Sequence, residues 1–431
     1  MNQRGNTPVW QIVALAINHI SAVVPTLFLA VYVSRQANIS GEALGNFISL
    51  TLLSMGIASL LQALRGRFVG SGFPAVASFN TTYIAAGVMA VKSGGIPLLA
   101  GMTVMSGIIE VALAPILRYL RILFPPSVLS VILALIGIYL AELGLDYVLG
   151  VNEGSFTKDT TVHLVSVVML LLMFGLRVWG GKNLRSMSML IGLATGFVLL
   201  WTLDLLSAGD SPIPTGTWFR LPSPTTFSLS FDPNLIPPFL IAAVIVAIRN
   251  VGLLGTLQRE TNAAWHEPDM QNIACGQTAN GLGALVSGLL GAGPVSLSAN
   301  SVAVSTQTQL YHRGIGLLAG ACLIITSFSP VTYALLLKVP DPLVGTLFIA
   351  LGTSMLVSAL GLVDFRTIAP ADILIFGMGL ICGLNSQIHT AFYADLPRRI
   401  QLIAGSGIAI GAIVATSMNL FFAAGRYWRH R

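Results

Sequence analysis

The sequence predicts an all-α polytopic membrane protein with fourteen transmembrane spans. They are arranged as a seven-plus-seven inverted repeat, with two short antiparallel β-stretches in broken spans 3 and 10. Three observations carry this prediction. Hydrophobic residues make up 55% of the 431 and charged residues 9%, with a mean hydropathy of +0.82, too little polarity to cover a molecule facing water. Apolar runs of roughly 20 residues, the length that crosses a hydrocarbon core of about 30 Å, recur from end to end, whereas barrel strands would alternate over about 10. Finally, one phrase is written twice: Pro74, Ser78 and Asn80 in GFPAVASFN, and Pro294, Ser298 and Asn300 in GPVSLSAN.

The first copy begins with a run over 10–33, which carries Asn18 and His19 mid-helix ahead of Pro25. Runs follow at 43–64, 74–90, 97–117 with Glu110, 126–146 with Glu142, 160–178, and 186–207 with Asp204 near its interfacial end. The second copy reads 235–255 with Arg249, then 273–291, 296–310, 314–337, 342–362, 371–388 and 401–424. The repeated phrase is offset by 294 − 74 = 220, and Pro126 and Pro342, which open matching apolar runs, by 342 − 126 = 216. Both offsets are close to half the chain. Seven spans is an odd number, so the second copy inserts upside down and both termini fall on one side.

Basic residues in short loops give the orientation. One side and the termini hold Arg4, Arg65, Arg67, Arg118, Arg121, Arg177, Lys182, Arg185, Arg259, Arg313, Arg366, Arg426, Arg429 and Arg431. The other side holds Arg35, Lys92, Lys158, Arg220, Lys338, Arg398 and Arg399. The bias places both termini in the cytoplasm of a cell inner (plasma) membrane, and it accounts for the net charge of +6 without nucleic acid. The first 34 residues read as a helix rather than a signal peptide. No soluble domain is expected after the last span. The connections near 147–159 and 208–234 would lie outside, and the polar stretch 256–272 would be an inner loop or surface helix.

Cys275, Cys322 and Cys382 are scattered through apolar segments, which excludes a disulfide frame or a CxxC metal site. No cofactor or metal is expected. An enzyme is excluded by dispersed histidines, the absence of HExxH and the absence of converging acids.

Bare backbone is tolerated at mid-membrane only where protein or a water-filled cavity satisfies it. In each repeated phrase a β-like stretch of four or five residues after Pro should lead into a half-helix near Asn80 or Asn300, with Ser and Asn as N-cap residues. Inverted symmetry would turn both positive helix ends toward one cavity, a central substrate site. A single such break would read as a glycine kink that helps packing; duplication at the half-length offset favours the site.

Arg249 lies deep in LIPPFLIAAVIVAIRNVGLLGTL with no acid within a turn, so it must face protein or a cavity. Two roles are open to it: a structural arginine holding carbonyls, or a fixed positive charge that attracts an anionic substrate through bidentate hydrogen bonds. Asn18 and His19 either line the site or pack by hydrogen bonding. Glu110 and Glu142 either relay protons or face a neighbouring helix.

The stretches SMGIASLLQALRGRFVGSGFPAVASF at 54–79, RILFPPSVLSVILALIG at 121–137 and ANGLGALVSGLLGAGPVSLSANSVAV at 279–304, with NH at 18–19 in place of QH, are specific. The chain resembles the nucleobase-ascorbate transporter family, or nucleobase:cation symporter 2, which includes uracil, xanthine and urate permeases. The resemblance implies a core domain of spans 1–4 and 8–11 (1–120 and 235–338), a gate domain of spans 5–7 and 12–14 (121–234 and 339–431), elevator-type alternating access, and a homodimer. The family carries Glu in span 8, as E-x-x-G-D or E-x-x-G-H, and Glu or Gln before Asn in span 10. Here those positions are Arg249, Leu253 and Ala299, and Asn300 survives.

Arginine offers donors and no acceptor, and it keeps its proton at any working pH. The exchange therefore points away from a neutral pyrimidine and from proton symport at these positions, toward a small planar or compact anion such as urate, a deprotonated purine or a carboxylate. Arg249 would be its counter-charge. Asn300 and Ser298 would be hydrogen-bond partners, Phe79 a stacking surface, and Ser78, Asn80, Ala299, Asn18 and His19 further lining. An anion exchanger or channel on the same fold is the competing reading.

Overall fold

The computed structural model describes residues 7–119, 125–151, 160–205, 219–223, 228–262, 266–363, 368–393, 395 and 397–429. Helix α1 (Val9–Val23) continues through a turn of 3₁₀ helix containing Pro25 into α2 (Leu27–Arg35), and α3 (Gly41–Ala63) follows. After strand β1 (Ala77–Phe79) the chain enters α4 (Ile84–Leu113), which is interrupted at Gly94 and Gly95. Gly95 has φ +69°, a conformation favourable only to glycine, and the helix restarts with Pro97 in its first turn, where a missing N–H costs nothing. Three helices complete the first half: α5 (Pro126–Leu149), α6 (Thr160–Trp179) and α7 (Lys182–Thr202).

The second half contains α8 (Ile236–Thr261), α9 (Met270–Leu289), β2 (Val295–Leu297), α10 (Ala299–Thr308), α11 (Arg313–Ser327), α12 (Pro330–Leu337), α13 (Asp341–Gly361), α14 (Pro370–Ile388), α15 (Arg398–Ala404) and α16 (Gly407–Arg429). Of the polar stretch 256–272, the first part extends α8 and the last opens α9. There the Asp269 carboxylate caps the amides of Gln271 and Asn272. Arg4, Arg121, Lys158, Arg366, Arg431 and most of the two long connections, 147–159 and 208–234, lie outside the described residues.

Among the described residues, nine helices are long and apolar enough to cross a membrane, and a tenth would be the pair α11–α12, bent by 84°. The shortfall against the fourteen expected runs has local causes. Spans 3 and 4 count as one segment, Thr81–Tyr119, although the break at Gly94 and Gly95 divides it into two helices. Helix α9 contains Gln271, Asn272, Gln277 and Asn280, α10 has only 10 residues, and the apolar part of α14 is short.

Glycine sets how closely the helices approach. Gly137 faces Gly352 and Gly144 faces Gly345 in an antiparallel α5–α13 contact, where an added Cβ would lie 2.6 Å and 2.5 Å from the opposing carbonyl oxygens. Gly107 and Gly288 do the same between α4 and α9, and Gly56 between α3 and α11. Lipid supplies no hydrophobic drive between helices, so this backbone proximity is the source of their van der Waals cohesion.

The two chain breaks pair with each other. β1 and β2 are antiparallel, with Ala77 opposite Leu297, Ser78 opposite Ser296 and Phe79 opposite Val295. The Asn80 amide donates to the Pro294 carbonyl and the Ser298 amide to the Val76 carbonyl, each extending the ladder by one bond. Each strand has three residues rather than four or five, because capping begins directly after it. Ala77 and Leu297 are separated by 297 − 77 = 220 positions, the offset of the repeated phrase, so at this one pair a residue meets its own counterpart, and the antiparallel ladder runs symmetrically away from it on either side.

Candidate functional site

Both breaks end in helix caps built by the residues the sequence singles out. The Asn80 Oδ1 accepts from the Thr82 amide at 3.0 Å, and the Ser298 Oγ from the Ser301 amide at 3.4 Å. Asn80 is 1% exposed, and its Nδ2 and the Thr81 Oγ1 are buried without a partner. Ala299 and Asn300, at the start of α10, are half-buried, and the Asn300 Nδ2 reaches the Ala22 carbonyl at 3.5 Å.

Arg249, 9% exposed, projects from α8 between the two breaks. One guanidinium nitrogen donates to the Thr82 Oγ1 at 3.3 Å. The other donates to the Ser296 Oγ at 2.7 Å and the Leu297 carbonyl at 3.2 Å, while its Nε is buried without a partner. The side chain therefore grips the first half-helix and the second strand at once. Such charge-assisted bonds are worth about 1.5–3 kcal/mol each, enough to fix the guanidinium in one place.

The other expected residues fall around this junction. His19 is fully buried, with Nδ1 2.6 Å from the Ser301 Oγ and Nε2 3.5 Å from the Ser305 Oγ. The Ser301 Oγ also accepts from the Val76 amide at 2.8 Å, so α1, α10 and the residue that leads into β1 share one hydroxyl. Asn18 is buried beside it. Ser78 lies in the ladder opposite Ser296, and the Phe79 ring is buried against Gly293 rather than presented to open space. Glu142 is exposed, whereas Glu110 is fully buried and accepts from the Tyr83 hydroxyl and the Asn280 amide.

Sequence reading passed over Thr82, Tyr83, Asn280, Ser296, Ser301 and Ser305. Their one visible signal was polarity inside or beside apolar segments. A narrow crevice separates Thr82, Ala85 and the α8 residues Pro238 and Ile245 from Ser406 and Ile408, near the start of α16. Its volume of about 10 Å³ holds roughly one water. A larger solute enters only if these segments part.

The Permease family model (Xan_ur_permease) matches residues 11–392. The chain belongs to this permease family. It is similar to the uric acid permease PucJ of Bacillus subtilis, at 24% identity over 96% of this chain and 93% of that protein. It is also similar to the xanthine permease XanP of Escherichia coli K12, at 24% over 96% and 92%. The uric acid transporter UacT of the same strain matches at 24% over 96% and 86%.

Among solved structures, the transmembrane domain of a cyanobacterium bicarbonate transporter, BicA, shares the fold with a TM-score of 0.61 at 14% identity, over 93% of this chain and 98% of that one. The murine Slc26a9 anion transporter in the inward-facing state gives a TM-score of 0.63 at 10% identity, over 98% and 69%. This permease is thus an integral membrane transporter of the plasma membrane, and its relatives are permeases and transporters rather than enzymes.

Proposed function

We propose that this permease is a secondary-active or facilitative transporter of an anionic, planar substrate of the oxopurine class, with urate or a xanthine-like anion ahead of a small carboxylate. One observation carries the reading: the Arg249 guanidinium bridges Thr82 of the first break and Ser296 and Leu297 of the second. A fixed positive charge beside two helix N-termini favours a negative solute. The half-buried Ala299 and Asn300, with Ser298, supply donors at the α10 terminus, and the unpartnered Arg249 Nε is a further one. Asn18, His19, Ser78, Phe79 and Asn80 shape the surroundings. Relatives named as uric acid permeases agree with the substrate class.

The reading includes fourteen spans in a seven-plus-seven inverted repeat, and the pairing of Ala77 with Leu297 supports it. It includes a core domain (1–120 and 235–338) that moves elevator-fashion against a gate domain (121–234 and 339–431), both termini in the cytoplasm, and a homodimer. The narrow crevice between α8 and α16 supports relative movement, because a purine needs far more room than it offers.

Uptake of labelled urate into proteoliposomes, in competition with xanthine, uracil and bicarbonate, tests the function. Competition by oxopurine anions is expected, and tight binding of neutral uracil with no effect of anions would end the anion reading. Bicarbonate transport at currents far above carrier turnover would favour the exchanger or channel reading, which the named activities of the structural neighbours raise.

A further inference from the structure

Glu110 and Arg249 belong to one closed chain of contacts. The Tyr83 hydroxyl donates to the Glu110 Oε1 at 2.8 Å, and the Asn280 Nδ2 donates to the Oε2 at 2.5 Å. The Asn280 Oδ1 accepts from the Leu297 amide at 2.7 Å, and the Leu297 carbonyl accepts from Arg249. Arg249 then reaches Thr82, the chain neighbour of Tyr83, and the ring closes. A second strut runs beside it: the Asn250 Nδ2 donates to the Gln277 Oε1 at 2.9 Å, and the Gln277 Nε2 to the Glu110 backbone carbonyl at 3.4 Å.

The Asn280 amide can only donate to Glu110, while the Tyr83 hydroxyl can donate to a carboxylate or accept from an acid, so it is the buried guanidinium in the same ring that favours the charged form. An isolated buried carboxylate or guanidinium costs several kcal/mol, a cost that falls when an opposite charge shares the same low-dielectric region. Among the described residues, Glu110 is the fully buried carboxylate and Arg249 the buried guanidinium. They do not touch. The backbone of the second break and the first half-helix lie between them.

We propose that Glu110 is the counter-charge of Arg249 and a positioning residue of the transport site. Through Asn280 it fixes the Leu297 peptide that the guanidinium grips, and it tempers the positive potential that the substrate meets, so that an anion binds and is also released. This deepens the anion reading and rests on it for the sign of the expected effect.

The test is a cycle of Glu110→Gln, Arg249→Gln and the double variant in proteoliposomes, with KM and maximal rate for urate and for a neutral nucleobase, and with thermal midpoints of the purified proteins. Glutamine fits the ring, since the Tyr83 hydroxyl can turn to accept from its amide. Glu110→Gln is expected to lower KM for urate by at least about threefold relative to the neutral base and to slow turnover. In the Arg249→Gln background the uncompensated buried Glu110 takes up a proton, so the same change should leave that ratio where it was, and the double variant should regain part of the thermal stability lost by Arg249→Gln.

Additive effects on both KM and midpoint would overturn the proposal. So would loss of proton-driven accumulation with counterflow intact, which would make Glu110 a proton carrier. A wild type that prefers neutral bases would sink the anion reading alone. The cycle, read on the KM of whichever substrate is carried, then decides the positioning role by whether positions 110 and 249 are coupled.

Discussion

Arg249→Gln removes one positive charge while leaving an amide able to reach Ser296 or Leu297. An anion held about 4 Å from the guanidinium gains about 4 kcal/mol at an effective dielectric constant near 20. At 1.4 kcal/mol per tenfold this is about a thousandfold in affinity. Glu110, in the same ring, offsets part of that field, so a loss of about one hundredfold to one thousandfold is expected for urate. A neutral nucleobase should lose at most about tenfold, from the one charge-assisted bond that glutamine does not replace. Both substrates experience any general damage to the fold equally, so the ratio of their KM values isolates the charge. Initial-rate uptake into proteoliposomes, with protein amount and monodispersity checked for each variant, gives that ratio. A ratio within about threefold of wild type would refute the electrostatic argument and leave Arg249 as a scaffold for the two breaks.

Further expectations concern packing and hydrogen bonding. Gly288→Leu drives a side chain into the backbone of α4, where even a Cβ would lie 2.6 Å from the Ala100 carbonyl oxygen. It should cost at least about 3 kcal/mol or block folding, while Gly252→Ala, with nothing within 4 Å, should be neutral or stabilising in thermal melts. Ser301→Ala leaves the Val76 amide and the His19 ring without their shared partner, and denaturation should show a loss of about 1–3 kcal/mol, against little for Ser305→Ala at its longer contact. Asp341→Asn removes the 2.7 Å pair with Arg35, whose side chains are 37% and 33% exposed, and a midpoint shift equivalent to less than about 1 kcal/mol is expected.

The breaks were legible in the sequence because they break a rule that lipid imposes. Pro, Ser and Asn at fixed spacing inside apolar runs have no use as ordinary helix, and Asn80 and Ser298 do cap the half-helices. Arg249 was legible for the same reason, as a charge with no local partner. What it touches was not. Thr82 and Ser296 lie 167 and 47 residues away, and Glu110 and Asn280 are 170 apart, distances that no periodicity encodes. Asn280 sits in a glycine-rich helix whose composition explains its close packing and hides its polar role. Phe79 shows the limit of reasoning by residue type: an aromatic beside the break reads as a stacking surface, yet its ring fills the space left by Gly293.

The direct test is a structure of the protein with urate bound. The account predicts ligand density within hydrogen-bonding distance of the Arg249 guanidinium and of the α10 terminus at Ala299 and Asn300, with the crevice between α8 and α16 opened around it. Urate bound elsewhere, with Arg249 still engaged only by Thr82, Ser296 and Leu297, would contradict it.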